Sequence, residues 1–350
     1  MPAMLITGGR DYRLTPLDAA VITAIHRGAV SPLHADLLAR VERLLGFAVP
    51  RPTVLYEGGA RGADTDARLI AERCGLAHVT FEANWATDGK AAGPIRNSAM
   101  LAGRHPDRGQ LTPPSFVLAF PGGAGTGDMV AKAHTAGVPV LDLGGPHGDC
   151  LAPVQRWTRD DAWLVLSGGP EAIARARAER PGVGLPVISG HHLKVRGQPT
   201  IPAWCEYVGR AAHGLRGHPL FANPFPVRPV GAHKPDRVVV LLHSLWTEMS
   251  HDEALVPFEA HLRRLARSAS VRGALAQLHT DGKVLVCWCD HRKPCHACVV
   301  ARAALMLAAQ AANRQVWGPG AGSPHAEPDA QEQADLNRLP RGGRVEGPAA

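Results

Sequence analysis

Three glycine-rich turns in the first half of the chain could bring backbone N–H groups close to a ligand. Each turn follows a short apolar run typical of a β-strand; the pairs of run and turn are 4–7 with Gly8-Gly9, 53–56 with Gly58-Gly59, and 116–120 with Gly122-Gly123. Because glycine has no Cβ, the backbone of such a turn can approach a ligand closely. The first N–H groups of a following helix then point at that ligand, and phosphate commonly binds there.

The third turn, from Pro121 to Met129, carries the fullest form of this pattern. Gly122, Gly123 and Gly125 lead into Thr126, where a helical run begins. We expect these four residues to contact a phosphate group. The alternative is that the glycines serve only a tight strand-to-helix turn.

Five polar side chains close to the turns are candidates for the rest of a binding site: Arg10, Arg61, Asp64, Arg96 and Asn97. Arginine donors suit phosphate or ribose, which we favour for Arg61 and Arg96; the alternative is that they form surface ion pairs. Asp64 has two interpretations of equal weight, as a ligand-binding residue or as the N-cap of the next helix. The tryptophan between the second and third turns, Trp85, is expected in the core.

Four cysteines are crowded into twelve residues near the C-terminus. Cys287 and Cys289 would share one face of a strand, and Cys295 and Cys298 one face of a helix start. With His296 as an alternative ligand, the four sulfurs could hold a structural zinc ion. Two other interpretations stay open: a reactive Cys295 thiol activated by the helix start and His296, or buried free cysteines.

The elements that must position the glycine turns alternate between short β-like runs and helical runs over residues 1–145. This alternation predicts a Rossmann-like α/β domain, with a parallel sheet flanked by helices. Ligands of such sheets bind at the carboxyl ends of the strands, so the three turns would form one crevice. We expect strands at 3–7, 53–56, 77–81, 115–120 and 138–141, and helices after Thr15, from 33 to 45, 64 to 74, 94 to 101 and 126 to 136.

The rest of the chain is predicted to form a smaller, mostly helical α+β domain. Residues 146–200 are either a linker or an extension of the first sheet, with a β-like run at 162–166 and a helix at 171–179. Within 201–315 we expect a helix at 235–249, with strand as the alternative, helices at 255–266, 271–278 and 297–312, and a strand at 283–287. The tail at 316–350 is rich in Gly, Pro and charged residues and is predicted to be disordered.

The composition favours a soluble cytoplasmic protein. Of 350 residues, 45% are hydrophobic, which is enough for ordinary cores, and no apolar run is long enough to cross a membrane. Seven cysteines, an odd number, do not suit a secreted disulfide framework. The net charge of +7 is spread along the chain, so a nucleic-acid partner is conceivable but not favoured. Membrane binding is not expected, and homo-oligomerisation is left open.

The N-terminal motifs resemble the YspA-like branch of the SLOG superfamily. The five segments that carry the resemblance occur in the order Thr7–Asp11, Gly58–Asp64, Phe81–Trp85, Gly93–Asn97 with Met100, and Pro121–Thr126. The resemblance implies a Rossmann-like fold and a nucleotide-derived ligand such as AMP, ADP-ribose or an NAD-like compound.

The same superfamily includes the Lonely Guy phosphoribohydrolases, which cleave the base from nucleoside monophosphates. Those enzymes carry a glutamate where this chain has Met129, and a thioether can neither stabilise an oxocarbenium ion nor donate a proton. Arg96 matches their arginine, and Asp128, Asp64 or Glu57 could supply a carboxylate. We therefore place ligand binding or sensing above N-glycosidic hydrolysis.

The C-terminal motifs resemble an uncharacterised bacterial and phage domain, which indicates an association with phage or mobile elements. The segments concerned are Tyr207–Arg210, Asn223–Phe225, Cys287–Cys289 and Cys295-His296. This resemblance implies no particular reaction, so we expect an effector or a second processing activity. A DNA-processing accessory role is a third alternative, because SLOG relatives include a DNA-uptake protein.

Overall fold

Two α/β units follow one another along the chain. The computed structural model describes residues 1–145, 147–225, 227–229, 237–242, 245–289 and 295–318. The N-terminal unit has a five-stranded parallel sheet flanked by helices, and a smaller unit follows it. The α/β fold predicted from the alternation of elements is therefore confirmed.

The N-terminal unit contains seven strands, and two of them form a separate short hairpin. The strands are β1 (Ala3–Thr7), β2 (Val54–Glu57), β3 (Ala77–Thr80), β4 (Arg104–His105), β5 (Gly109–Gln110), β6 (Phe116–Ala119) and β7 (Val140–Asp142). The helices are α1 (Pro16–Arg27), α2 (Pro32–Leu45), α3 (Ala63–Cys74), α4 (Trp85–Asp88), α5 (Ala92–Leu101) and α6 (Ala124–Thr135).

The order of strands places a topological switch point at the centre of the first sheet. The order is β3-β2-β1-β6-β7, and all neighbours are parallel. Strands β2 and β3 are added in turn on one side of β1, and β6 and β7 are then added on its other side. A crevice opens where the direction of building reverses, and ligands of open α/β sheets bind there.

Local signals in the sequence account for the ends of these helices. Thr15 and Ser31 cap α1 and α2 through their side chains, and each is followed by a proline whose missing N–H costs nothing at that position. Gly75 ends α3 in the left-handed conformation, where glycine has no steric penalty. The predicted helices at these positions are confirmed.

The second unit is built around a short parallel sheet of four strands. Its strands and those of its hairpins are β8 (Val154–Arg156), β9 (Leu185–Ser189), β10 (Lys194–Val195), β11 (Gln198–Pro199), β12 (Cys205–Tyr207), β13 (Val227–Pro229), β14 (Arg237–Leu242), β15 (Leu245–Ser250) and β16 (Val284–Cys287). The parallel sheet has the order β12-β16-β9-β8. Residues 146–200, considered above as a linker or an extension of the first sheet, contribute β8 and β9 to this second sheet.

In the described part of this unit, five α-helices accompany that sheet: α7 (Ala162–Ser167), α8 (Gly169–Glu179), α9 (Val256–Leu265), α10 (Ala269–Thr280) and α11 (His296–Trp317). The helices predicted at 171–179, 255–266, 271–278 and 297–312 are confirmed. The strand predicted at 162–166 is wrong, because this segment is α7. A capping box between Thr158 and Asp161 lies just before it and stabilises a helical start.

The helix predicted at 235–249 is also wrong. Its described residues form the antiparallel pair β14 and β15, with Arg237 opposite Ser250 and Leu242 opposite Leu245. The stated alternative, strand, is what the structure has. The sequence has three consecutive valines at 238–240, and β-branched residues of this type favour strands over helices. Their effect outweighs the helical spacing of the apolar positions.

Helix α11 belongs to the cores of both units. Val300, Ala301 and Ala304 on its N-terminal half pack in the core of the second unit. Leu305 and Ala309 are wholly buried in the core that α1, α2 and α3 build on the first sheet. The helix is therefore a shared structural element of the two units.

The end of α11 overlaps the first residues of the tail that was predicted to be disordered. Val316 and Trp317, which open the predicted tail, belong to this helix, and residues 319–350 lie outside the described residues. Within the part of the chain that the structure describes, no helix is long and apolar enough to span a membrane.

Candidate functional site: a glycine crevice and a sulfur cluster

A crevice of about 830 Å³ lies at the switch point between β1 and β6. Most of the predicted ligand-binding residues line it, namely Gly8, Gly9, Arg10, Asp64, Arg96, Asn97, Gly122, Gly123, Gly125 and Thr126, together with Asp128. Three others, Gly58, Gly59 and Arg61, line a neighbouring cleft of about 580 Å³. Arg10 and Trp85 border both spaces, with the Arg10 guanidinium carbon 5.7 Å from the Trp85 ring centroid.

Glycines allow the turns to pack directly against one another. The Gly9 N–H donates to the Pro121 carbonyl at 2.9 Å, and the Gly9 carbonyl accepts from the Ala63 N–H at 3.2 Å. A Cβ on Gly8 would overlap Ala63, and one on Gly122 would overlap the Thr126 side chain. These glycines therefore hold the floor of the crevice together.

Two other glycines of the third turn have no such packing role. A Cβ at Gly123 or Gly125 would meet no atom within 4 Å. Gly123 is the N-cap of α6, and no side chain caps this helix start. Unpaired N–H groups at a helix start need an acceptor, and the helix dipole favours an anionic one.

Two buried carboxyl groups and one guanidinium surround the second turn. Glu57 is wholly buried, accepts from the Gly59 N–H at 2.6 Å and accepts from the Thr80 hydroxyl. Asp64 accepts from the N–H groups of Gly58 at 3.2 Å and Ala60 at 3.4 Å. These hydrogen bonds therefore hold the backbone of the second turn in place.

The protonation state of Asp64 is unusual for a carboxyl group. Burial raises its pKa to about 6 and Glu57 adds to the rise, whereas Arg96 opposes it. Its Oδ1 is buried and has no hydrogen-bond partner among the described residues. Asp64 therefore exchanges a proton near neutral pH at the wall of the crevice.

Arg96 and Asn97 connect this network to α6. Arg96 donates to the Gly58 carbonyl and, at 3.0 Å, to Asn97 Oδ1. Asn97 Nδ2 donates in turn to Asp128 at 2.8 Å, and Lys132 donates to the same carboxylate oxygen at 2.8 Å. Although partial burial raises the pKa of Asp128, the hydrogen bonds from Lys132 and Asn97 outweigh it and lower that pKa. Asp128 is therefore ionised.

The Met129 side chain packs in the core and does not line the crevice. It is wholly buried in the core that includes Tyr56 and Phe81. The acidic residue that this helix presents to the crevice is its neighbour Asp128.

The crevice wall also contains residues that the sequence did not indicate. Trp85, expected in the core, is 52% exposed and borders the crevice. The segment from Glu82 to Lys90 contains no other large apolar residue, and this absence could have indicated an exposed tryptophan. Lys90 and Tyr12 also line the crevice and were not singled out.

Arg61 makes the surface ion pair that was considered as its alternative role. Its guanidinium lies 2.7 Å from the Asp11 carboxylate, and both side chains are well exposed. Exposed pairs of this kind contribute little to stability. The pair therefore leaves Arg61 at the rim of the smaller cleft, outside the main crevice.

The cysteine motifs meet at the end of β16 and the start of α11. The sulfurs of Cys287, Cys289 and Cys295 all lie within 4.8 Å of one another and could hold a metal ion. Cys287 and Cys295 are 3.4 Å apart, and Cys298 lies 3.8 Å from Cys295. All four are free thiols.

His296 adds a nitrogen to this sulfur cluster, defined as Cys287, Cys289, Cys295 and Cys298. Its Nε2 lies 3.0 Å from the Val208 carbonyl, and a carbonyl can only accept a hydrogen bond. Nε2 therefore carries the proton, and Nδ1, 3.9 Å from Cys289 Sγ, keeps its lone pair. Hydrogen bonds from Cys287 and Cys295 lower the pKa of the Cys289 thiol.

Residues 192–306 match a protein family described as Domain of unknown function (DUF4326). The match includes the Gly-Arg, Asn-Pro-Phe, Cys-Trp-Cys and Cys-His motifs and therefore the whole sulfur cluster. Among curated proteins and among solved structures, nothing matches the chain.

Proposed function

We propose that the crevice between β1 and β6 binds a nucleotide-derived ligand such as AMP, ADP-ribose or an NAD-like compound. In this proposal the N-terminal unit is a SLOG-like sensing domain and the C-terminal unit is its effector. The protein would act in the cytoplasm, where its free thiols stay reduced.

The uncapped start of α6 at the switch point is the observation that carries this proposal. Gly123 and Gly125 border open space, so a phosphate group could approach the N–H groups there without a steric barrier. Arg10 and Lys90, which also line the crevice, supply cationic donors for further phosphate oxygens. Trp85 offers an exposed ring face on which a base could stack.

A thermal-shift series with the full chain tests the proposal. AMP, ADP-ribose and NAD are added in turn, and at least one of them should raise the melting temperature with a dose dependence that yields a Kd. Adenosine, which lacks the phosphate, is the matched control and should stabilise the protein much less. If none of the phosphorylated compounds stabilises the chain, the proposal is wrong.

N-glycosidic hydrolysis in the same crevice is a second candidate, and Asp64 is the observation that favours it. A carboxyl group with a pKa of about 6 can donate a proton to a leaving base near neutral pH. Asp128, which is ionised, could stabilise an oxocarbenium-like state, and Arg96 could hold the ligand. The buried thioether at Met129 takes no part in this scheme.

Chromatography of nucleotides incubated with the protein separates the two candidates. Release of free base that disappears in Asp64→Asn supports hydrolysis. Stabilisation by a nucleotide without any base release leaves binding as the function. Base release that persists unchanged in Asp64→Asn argues against the assignment of Asp64.

For the sulfur cluster we propose a zinc ion held by Cys287, Cys289 and Cys295. A tetrahedral zinc with Zn–S bonds of about 2.3 Å places its sulfurs roughly 3.8 Å apart. The separations of 3.4 and 3.8 Å in the cluster are close to this value. Cys298 or His296 would supply the fourth ligand. The hydrogen bond from His296 Nε2 to Val208 is of the kind that fixes a metal-binding tautomer.

A further inference from the structure

A second cavity, of about 470 Å³, lies beside the sulfur cluster and shares no lining residue with the glycine crevice. Residues from four separate motifs meet in its wall: Arg210, Asn223, Trp288, Cys289, Cys295 and His296. These motifs are spread over about ninety residues of sequence, yet the fold brings them to one place. A volume of this size is typical of small-molecule sites.

Asn223 and Arg210 supply hydrogen-bond donors to this cavity. None of the described residues that line it is acidic. Asn223 is 7% exposed, and its Oδ1 accepts from the Phe225 N–H at 2.9 Å, so the amide Nδ2 is the group left to donate. Arg210 brings a guanidinium whose hydrogen bond to the Phe225 carbonyl, at 3.5 Å, uses only one of its five N–H donors.

Two cysteines of the sulfur cluster and several apolar groups also form part of the wall. Cys289 and Cys295 reach the cavity together with His296, and Ala254 and Leu255 add apolar surface. The Trp288 ring forms part of the wall, with the His213 ring 4.3 Å from it. A ligand held at Arg210 and Asn223 would therefore place the rest of its atoms near the sulfurs and these rings.

We propose that this cavity binds a small molecule through an oxyanion, either a phosphate or a carboxylate group, held by Arg210 and Asn223. Both groups accept the paired N–H donors of a guanidinium. The site is independent of the nucleotide proposed for the N-terminal crevice. It gives the four motifs of the C-terminal unit one shared role.

Hydrogen exchange followed by mass spectrometry on the full chain tests the proposal. Inorganic phosphate, ribose 5-phosphate and citrate serve as probes, and exchange is followed in peptides that cover 205–225 and 295–300. At least one probe should slow exchange in these peptides. In Arg210→Ala we expect the apparent Kd of that probe to rise about tenfold or more. Arg216→Ala removes an exposed arginine of the same loop that does not line the cavity, and it should bind as the unmodified chain does.

The outcomes distinguish this site from the glycine crevice. Protection by citrate alone assigns a carboxylate ligand, and protection by the phosphorylated probes alone assigns a phosphate. Protection confined to peptides around 121–129 overturns this proposal and leaves the crevice standing. The proposal is also wrong if no probe protects the C-terminal peptides, or if their protection is the same in Arg210→Ala. Because Arg210 is exposed, its replacement should not prevent folding.

Discussion

Asp64 and Arg96 hold the same glycine from two sides. The Gly58 N–H donates to Asp64 Oδ2 at 3.2 Å, and the Gly58 carbonyl accepts from Arg96 Nη1. A carboxyl from α3 and a guanidinium from α5 thereby fix the turn after β2. The shape of this side of the site depends on a buried polar network in addition to the sheet.

A side chain at Gly58 should disturb that network. The Cβ of Gly58→Ala would overlap Arg96 Nη1 and lie 2.9 Å from Asp64 Oδ2, so one of the two groups must move. We expect a loss of about 1–3 kcal/mol in the free energy of unfolding, measured by urea denaturation. Gly125→Ala is the control, because its Cβ meets nothing within 4 Å and lies in α6. It should stabilise by about 0.5–1 kcal/mol. Equal effects of the two substitutions would contradict this account.

The raised pKa of Asp64 predicts a dependence of stability on pH. Between pH 3.8 and about 6 the folded protein keeps a proton on Asp64 that the unfolded chain has released. This contribution to stability is present at low pH and is lost as pH rises through the window. Asp64→Asn has no such carboxyl group and should not lose stability in this way. Its free energy of unfolding relative to that of the unmodified chain should therefore rise between about pH 4 and pH 7. The shift sets an upper limit of roughly 3 kcal/mol on this change.

Asp128 provides the matched comparison, because its pKa is lowered. Its contribution is present above its unfolded pKa and is lost as pH falls through its folded pKa. Asp128→Asn should therefore cost more stability at neutral pH than in acid. Chemical denaturation at a series of pH values measures both variants, and slopes of the same sign would contradict the assignments.

Phosphate binding at the start of α6 predicts different effects for two neighbouring glycines. A Cβ at Gly125 or at Gly127 meets no atom within 4 Å, but only Gly125 lines the crevice. A glutamate near a helix start is favourable for the helix, so both Gly125→Glu and Gly127→Glu should fold. Only Gly125→Glu should repel a phosphate, and we expect it to weaken binding of the stabilising nucleotide about tenfold or more. Calorimetric titration measures this, and equal affinities in the two variants would argue against phosphate at this position.

Zinc in the sulfur cluster predicts one metal ion per chain and a loss of stability on chelation. Cys287→Ser and Cys295→Ser should lose the metal, measured by elemental analysis of the purified protein. Cys205→Ser is the control, because Cys205 is a buried thiol of β12 in the same sheet but outside the cluster. Comparison of Cys298→Ser with His296→Gln identifies the fourth ligand, because only the substitution that removes this ligand should cause the protein to lose the zinc ion. Protein that lacks zinc and is unaffected by a chelator would refute the proposal.

Local features of the sequence were enough to predict many of the helices and turns of the N-terminal unit. The proline after Thr15 and the left-handed glycine at Gly75 mark helix ends through interactions within a few residues. The three glycine turns likewise follow their strands directly. Because parallel strands end at the same edge of a sheet, the sequence was sufficient to place these turns at one edge.

The features that the sequence did not predict depend on contacts between distant parts of the chain. The direction in which α6 presents Asp128 and Met129 is set by packing against the first sheet, and the second sheet combines strands as far apart as Val154 and Cys287. The apolar residues of β14 and β15 do have helical spacing, but pairing between the two strands stabilises the hairpin instead of a helix. The convergence of Arg210 with the sulfur cluster could not be read from spacing for the same reason.

The position of α11 has a consequence for synthesis of the protein on the ribosome. Leu305 and Ala309 complete the core against α1, α2 and α3, although almost three hundred residues separate Leu305 from the first strand. The first unit emerges early but exposes this apolar surface until α11 has left the ribosome. We therefore expect the N-terminal half to depend on the end of the chain for its full stability, so that premature termination before residue 305 would yield an aggregation-prone fragment. The core of the first unit is thus completed only after nearly the whole described chain has been synthesised.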